Sequence, residues 1–585
     1  MFVFCVASEN GRKERRTVSA REYYCYLLQM RENDRSMLLH ARRLLQQFVV
    51  DVYVKIETSR LDFHRKKQND VRTEILQGVI DSISVGQRQG SQVGRRVYLP
   101  ASFIGGPRDM RRRYIDAMAL VQKYGRPDIF ITMTCNTNWK EIQENLKYGE
   151  DAQDRPDLVS RVFRAKFEML KSEILKKKIF GEVQALVYVI EFQKRGLPHA
   201  HLLLILKHEY KPLNPEAYDQ IVSAEIPDPD KQRYLYSLVI KHMMHGPCGQ
   251  LNKDNVCMKN GTCRNHYPKD FSEYTIHTED SYPHYRRSKN GRVVSVRNKA
   301  LDNRWVVPYN PYLLALFDCH MNVEICSTVK LVKYLYKYVY KGYDRVSFHI
   351  NSGAAAENVD EINDFQSGKW VAAAEAFWRI YRFSLNEMTP SVYALQVHLP
   401  GHQMISFHKH SDLADVVNRA DFSKTMLTQI FHMNKTDKIA QKLNCLYRDF
   451  PEFFVWTPKT RNWTPRKRRS VIGRLVTVSP TEGERYYLRL LLSHVHAPTS
   501  FEHLLTVNGK IALSYREVAF EMGLLQSDTY IEDALTDAAT FQMPSSLRTL
   551  FAVLLIYCSP SNPRLLWEKF EGELSQDLRR NSHFD

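Results

Sequence analysis

Apolar residues recur at three- and four-residue spacing over 23–31 and 37–53, which predicts a mainly helical first hundred residues. A Gly-rich basic stretch, 86–96 (GQRQGSQVGRR), reads as a linker. GGPRDMRRR at 105–113 opens a further helix that continues through 117–121. The pattern then changes. PDIFITMTCN at 127–136 has the β-branched and aromatic content of a buried strand. Pro156 and Asp157 start a helix, with Asp157 the expected N-cap and Leu158, Val162, Phe163, Phe167, Leu170 and Ile174 its apolar stripe. VQALVYVIEFQ at 183–193 is apolar on both faces, as in a central strand, and HAHLLLIL at 199–206 is another. Residues 194–198 between them form a turn. The two strands are therefore a hairpin, and the region is an antiparallel α+β sheet rather than a βαβ array. Beyond 360 the composition is ordinary globular, with a basic cluster at 461–469 (RNWTPRKRR).

Composition bounds the partners. The chain has 585 residues, enough for several domains, and its 44% hydrophobic and 11% aromatic content is that of a globular protein. Lys and Arg number 83 against 65 Asp and Glu, a surplus of +18 that favours a polyanionic partner. Neither a signal peptide nor an apolar run of membrane-spanning length is visible; 550–558 is the longest candidate and reads as a core helix. The ten cysteines show no regular framework, which points to a reducing compartment. No G-x-x-x-x-G-K-[ST] is present, so no P-loop ATPase is recognisable.

Three groups of residues carry candidate chemistry. His199 and His201 are one residue apart, so on a strand both imidazoles point to one face, as half of a divalent-metal site would. A turn symmetric about Gly196 would set Gln193 opposite His199 and Glu191 opposite His201, adding an amide or carboxylate oxygen to that face. A solvent-facing pair on an edge strand would look the same. Residues 334–341 read YLYKYVYK. On a helix Tyr334 and Tyr338 stack on one face beside Lys337 and Lys341, which suits nucleophilic attack on phosphorus; on a strand the same tyrosines are an aromatic surface. Cys248, Cys257 and Cys263 follow His242 and His245 among several glycines. They predict a structural zinc knuckle whose fourth ligand is His245, with His266 the alternate.

In order, FITMT (130–134), LPHAHLLL (197–204) and YLYKYVYK (334–341) resemble the three-motif signature of the HUH rolling-circle replication initiators. With GRPDIFITMTCN, EFQKRGLPHAHLLL, KYLYKYVYKGYDR and PTEGERYYLRLLL, the chain resembles the Helitron transposases in their helicase-like N-terminal and Rep region. The resemblance implies an α+β fold with a central antiparallel sheet of HUH (ferredoxin/RRM-like) type, flanked by helices, with mostly helical N- and C-terminal regions. It implies a helical region at 1–104, a nuclease domain at 105–350 carrying a knuckle-like insertion at 240–271, and an α/β connecting region at 351–585. It implies that His199 and His201, with Glu191 or Gln193, hold Mg²⁺ or Mn²⁺. Tyr334 and Tyr338 would be paired nucleophiles, Lys337 and Lys341 phosphate contacts, and Thr132 and Thr134 supporting residues. Arg111, Arg112, Arg113, Lys194 and Arg195 are the expected DNA contacts. The implied activity is nicking and strand transfer on single-stranded transposon ends through a 5′-phosphotyrosine, in the nucleus. Helitron transposases continue into a Pif1-type helicase, so a helicase-bearing partner is expected, and the alternative is an idle, DNA-binding transposon remnant.

Overall fold

A computed structural model describes residues 18–579, apart from 32–35, 85–86, 88, 90–94, 97–102, 194–195, 278–282, 327–360, 368–369, 419–422, 468–470, 526–528, 542–543, 559 and 561. The fold is α+β. Its organising element is a five-stranded sheet built from β1 (Ile129–Thr134), β2 (Val183–Phe192), β3 (Pro198–Leu206), β4 (Met321–Ile325) and β5 (Asn386–Thr389). The strand order is β4-β1-β3-β2-β5, and every neighbouring pair is antiparallel.

The sheet's two faces are covered differently. On one face Ile129, Ile131, Met133, Leu202 and Leu204 pack with Phe163, Phe167, Leu170 and Ile174 of α4 (Pro156–Leu175), all buried. On the other, Ala117, Leu120 and Val121 of α3 (Pro107–Tyr124) cover Phe130, Val187, Leu203 and Ile205. That apolar cover reaches one end of the strands. Toward the Thr134 end the same face carries polar side chains.

The N-cap of helix α4 lies two residues earlier than expected. Pro156 takes the first helical position, which needs no N–H, so Arg155 is the N-cap residue and Asp157 lies inside the first turn. Instead of capping, the Asp157 carboxylate accepts hydrogen bonds from Arg155 Nε (3.0 Å) and Nη2 (2.9 Å). Both residues are buried.

At one sheet edge, the outward N–H groups of β4 are satisfied by the preceding segment. Val323 N donates to Pro308 O (3.1 Å) and Ile325 N to Tyr285 Oη (2.8 Å). That segment includes α5 (Arg233–His242) and has its own core of Leu238, Val239, Met243, Trp305 and Val306. At the other edge, β5 follows α6 (Ala373–Ile380), which shares a core with α1 (Ala20–Leu27) and α2 (Arg43–Asp70) through Leu28, Leu45, Val49, Ala376 and Phe377. Val71–Ile75 pairs antiparallel with Met404–His408, so the N-terminal part is also tied to the C-terminal part. There, Leu395, Leu427, Phe450, Leu488 and Leu491 belong to a second large core. Leu535, Leu547, Leu554 and Leu566 belong to a small helical one. Among the described residues no helix is long and apolar enough to cross a membrane.

Removing one partner of the Arg155–Asp157 pair leaves a buried charge uncompensated, which typically costs about 3–5 kcal/mol. Asp157→Ala is expected to lower stability by that order in urea unfolding, and a loss below about 1 kcal/mol would show that the pair does not hold the start of α4.

Candidate functional site

The hairpin β2–β3 sets the geometry of the polar face. Its register pairs Phe192 with Pro198, Glu191 with His199 and Val189 with His201. This corrects the expected pairing by two residues. Gly196 (φ 81°) is the last residue of the turn rather than its apex, because left-handed backbone is needed at that position. Gln193 N and Leu197 O close the turn at 3.0 Å, so Gln193 lies outside the strand and exposed. A shift of two preserves the face, and Glu191 remains beside the imidazoles.

Thr134 pairs with His199 and Thr132 with His201 across β1 and β3. Each threonine meets the Nδ1 of its histidine: Thr134 Oγ1 at 2.8 Å and Thr132 Oγ1 at 3.3 Å. The Nδ1 contacts leave each Nε2 as the outward nitrogen, and His201 Nε2 is 3.7 Å from Glu191 Oε2. The rings of His199 and His201 sit edge to face with centroids 4.5 Å apart. Phe130 stacks on His201 at 5.7 Å with planes 7° apart, so the imidazole is fixed from below as well as from the side.

The donor set fits a divalent cation in kind. It offers two imidazoles, oriented by neighbouring groups as metal-binding histidines usually are, and one carboxylate, although their ligand atoms are not gathered as closely as those of the cysteine cluster described below. Two bonds of about 2.1 Å to a shared ion span at most about 4.2 Å, and the Glu191–His201 separation of 3.7 Å is within that reach.

The polar row continues onto β4 at one edge. Thr134 N donates to His320 O (3.0 Å), Asn322 pairs with Thr132 and Glu324 with Phe130. His320 is half-buried and its Nδ1 meets His242 O at 2.8 Å; desolvation holds its pKa below the ordinary histidine value. Glu324 is buried, and among the described residues its Oε2 and Asn322 Oδ1 have no hydrogen-bond partner. Burial pushes the Glu324 carboxyl up to about 7, against the opposing effects of Tyr285, Arg287 and Asn322. The alternation His320, Asn322, Glu324 was present in the sequence as a period of two, and that signal would have found this strand.

A second cluster lies in the segment before β4. The ligand atoms of His245, Cys248, Cys257 and Cys263 lie within 4.8 Å of one another, and this is the one such cluster among the described residues. A tetrahedral site with 2.3 Å Zn–S bonds has edges of about 3.8 Å, so a small contraction would close it. Met258–Lys259 and Thr262–Cys263 pair as a minimal hairpin across Asn260 (φ 51°) and Gly261 (φ 77°), two left-handed residues that suit a tight hairpin turn. His245 Nε2 is 3.5 Å from Cys263 Sγ, and its ring stacks on Tyr267 at 4.1 Å. Burial disfavours the Cys263 thiolate. Backbone N–H groups of Tyr267 and Asn265 and the two other thiols outweigh it and lower its pKa, whereas burial pushes Cys248 up to about 12. This set could bind a metal such as zinc. His266 is exposed and outside it.

Other expected residues fall elsewhere. Arg112 and Arg113 lie on α3, where each pairs with the buried Asp109 at 2.7 Å, and Arg111 is exposed beside them. Lys194, Arg195, Tyr334, Lys337, Tyr338 and Lys341 lie outside the described residues.

Fold and site together define an α+β protein with an imidazole–carboxylate face on an antiparallel sheet and a separate Cys₃His cluster. A family model described as the Helitron helicase-like domain at the N-terminus matches residues 23–204, which include β1, β2 and most of β3. The match supports a Helitron-related protein with a transposon-related role. No curated protein matches the chain. The Cys₃His cluster and the tyrosine run lie beyond the matched residues.

Two outcomes are expected. A glutamate whose folded pKa is raised stabilises the fold fully below its unfolded value and loses that contribution as pH rises through about 7. Between pH 5 and 8 the protein should therefore lose a few kcal/mol, on the order of 1–3. Glu324→Gln should flatten this dependence, and equal pH profiles of melting temperature for the two would refute the assignment. For the cysteine cluster, protein refolded with Zn²⁺ should retain one equivalent by elemental analysis and Cys257→Ser should lose most of it. Equal zinc retention by the two proteins would rule the cluster out.

Proposed function

We propose that the chain nicks and rejoins single-stranded DNA at transposon ends, through a tyrosyl–phosphate ester. One observation carries the reading: His199 and His201 sit side by side, each tied at Nδ1 to a threonine of the next strand, with Glu191 beside His201 Nε2. Threonine contacts at Nδ1 make Nε2 the nitrogen through which each imidazole would hold a phosphate-directed cation. When bound there, Mg²⁺ or Mn²⁺ would offset the negative charge that develops on the scissile phosphate.

The nucleophiles in this proposal are Tyr334 and Tyr338. A tyrosyl oxygen forms the bond to phosphorus, the bond to the 3′ oxygen breaks, and the proton lost by the phenol ends on the freed 3′-hydroxyl. Lys337 and Lys341 favour the ionised phenol and contact the phosphate. The ester retains the energy of the broken linkage, so the second tyrosine can take a second strand before the first is released. Seven residues lie between Cys326, just after β4, and Tyr334, and the eight Cα steps reach up to about 28 Å, so the covalent connection permits the approach. The Cys₃His cluster would hold zinc as a structural element of the same domain. A nuclear site of action and a helicase-bearing partner belong to the same proposal.

The test uses the full chain and 3′-end-labelled single-stranded oligonucleotides with Mg²⁺ or Mn²⁺. A detergent-resistant protein–DNA adduct is expected that disappears in Tyr334→Phe/Tyr338→Phe and falls about 10- to 100-fold in Thr132→Val/Thr134→Val. An adduct that survives the double tyrosine change would overturn the proposal. DNA binding without any adduct would leave a binding role alone.

A further inference from the structure

A cleft of about 850 Å³ lies where α1, α2, the end of α6 and the start of β5 meet. Its size is within the usual range of ligand clefts, about 300–1,000 Å³. Five arginines line it: Arg21, Arg60, Arg113, Arg379 and Arg382. Two have counter-ions, Arg113 with Asp109 and Arg379 with Glu375, each at 2.7 Å. Among the described residues no carboxylate pairs with Arg21, Arg60 or Arg382. These three face one another instead: burial, then Arg382 and Arg60, hold the Arg21 pKa below its ordinary value. Arg382 stands just past the end of α6 in left-handed backbone (φ 58°), where glycine is the usual residue. Three guanidiniums that have no carboxylate partner among the described residues thus border one space, Arg382 from a left-handed position.

The cleft opens toward the polar face. Ile190 N donates to Leu385 O (2.7 Å) and Asn386 pairs with Val189, a register that sets Ser384 opposite Glu191. Ser384 and Asn386 both line the cleft. Exposed Phe63 adds a flat apolar surface to the wall. Guanidiniums beside an exposed ring suit a flexible polyanion with stackable bases.

Building on the function proposed above, we infer that this arginine cleft binds the phosphodiester backbone of single-stranded DNA and leads the strand to the histidine face past Glu191. Arg21, Arg60 and Arg382 contact consecutive phosphates, and Phe63 stacks a base.

The test is fluorescence anisotropy of a labelled single-stranded 20-mer with the full chain in buffer without added Mg²⁺ or Mn²⁺, so that no chemistry is needed for the signal. Each phosphate contact contributes about 0.7 to the slope of log affinity against log salt for single strands. Arg21→Gln/Arg60→Gln/Arg382→Gln should raise Kd at least about ten-fold and reduce that slope by about 2. The corresponding triple lysine variant should keep the slope. Lys253→Gln/Lys435→Gln/Lys438→Gln removes the same charge from exposed positions and should change Kd by less than about three-fold. Phe63→Ala, at an exposed ring, should weaken binding several-fold whether or not the arginine variant folds. Unchanged Kd and slope in the triple glutamine variant would overturn the inference. So would an equal loss in the exposed-lysine control, or inorganic phosphate or polyglutamate competing as well as unlabelled strand. Failure of the adduct assay with cleft-dependent binding intact would strike the nuclease reading alone.

Discussion

The antiparallel register across β4, β1, β3, β2 and β5 is the constraint on which the rest depends. Side chains alternate between faces, so a slip of one residue in any ladder would exchange the apolar and polar sets. The buried face opposite makes such a slip costly: Ile131, Met133, Leu202 and Leu204 lie against the phenylalanines of α4 and have no other place to go. The polar alignment of Thr134, His199 and Glu191 is thus enforced by apolar packing on the far side of the same strands. Hydrogen bonds between threonine and histidine then fix ring orientation locally, which register alone cannot do.

The cysteine cluster is coupled to that sheet through its edge. An exposed edge strand presents unpaired N–H and C=O groups that invite other chains. Here Pro308 and Tyr285 take the outward N–H groups of β4, and His242 takes the Nδ1 of His320. His242 ends α5, and His245 follows three residues later with its N–H on Trp305 O (2.8 Å). A metal on His245 and the three cysteines would therefore brace the element that positions His320, Asn322 and Glu324. Its effect on the polar face would be mechanical, by way of a strand edge.

Much of this was legible in the sequence because it is local. The stripe of α4, the apolar run HAHLLLIL and the cysteine spacing each declare themselves within about twenty residues. The hairpin register was off by two because it depends on where in the turn the left-handed glycine sits, and one glycine fits either place. The Asp157 cap failed for a similar reason: proline at the first helical position fixed the helix start, and the aspartate found an arginine instead. The arginine cleft could not have been read at all. Arg21, Arg60 and Arg382 are separated by up to about 360 positions, and only the packing of α6 on α2 brings them to one wall.

The distribution of charge matters more than its sum. A surplus of +18 spread over a surface of this size is compatible with many partners or none. Some basic side chains are neutralised locally, as Arg155 is by Asp157, Lys211 by Asp128 and Arg474 by Asp116, while the buried Arg287 donates to backbone carbonyls instead. In the cleft, Arg21, Arg60 and Arg382 have no carboxylate partner among the described residues. An anion entering the cleft would offset their like charge. A strand that did so would lie along the sheet end where Ser384 and Glu191 are neighbours, and so would pass the two imidazoles. Electrostatics and register, set by different parts of the chain, converge on one path.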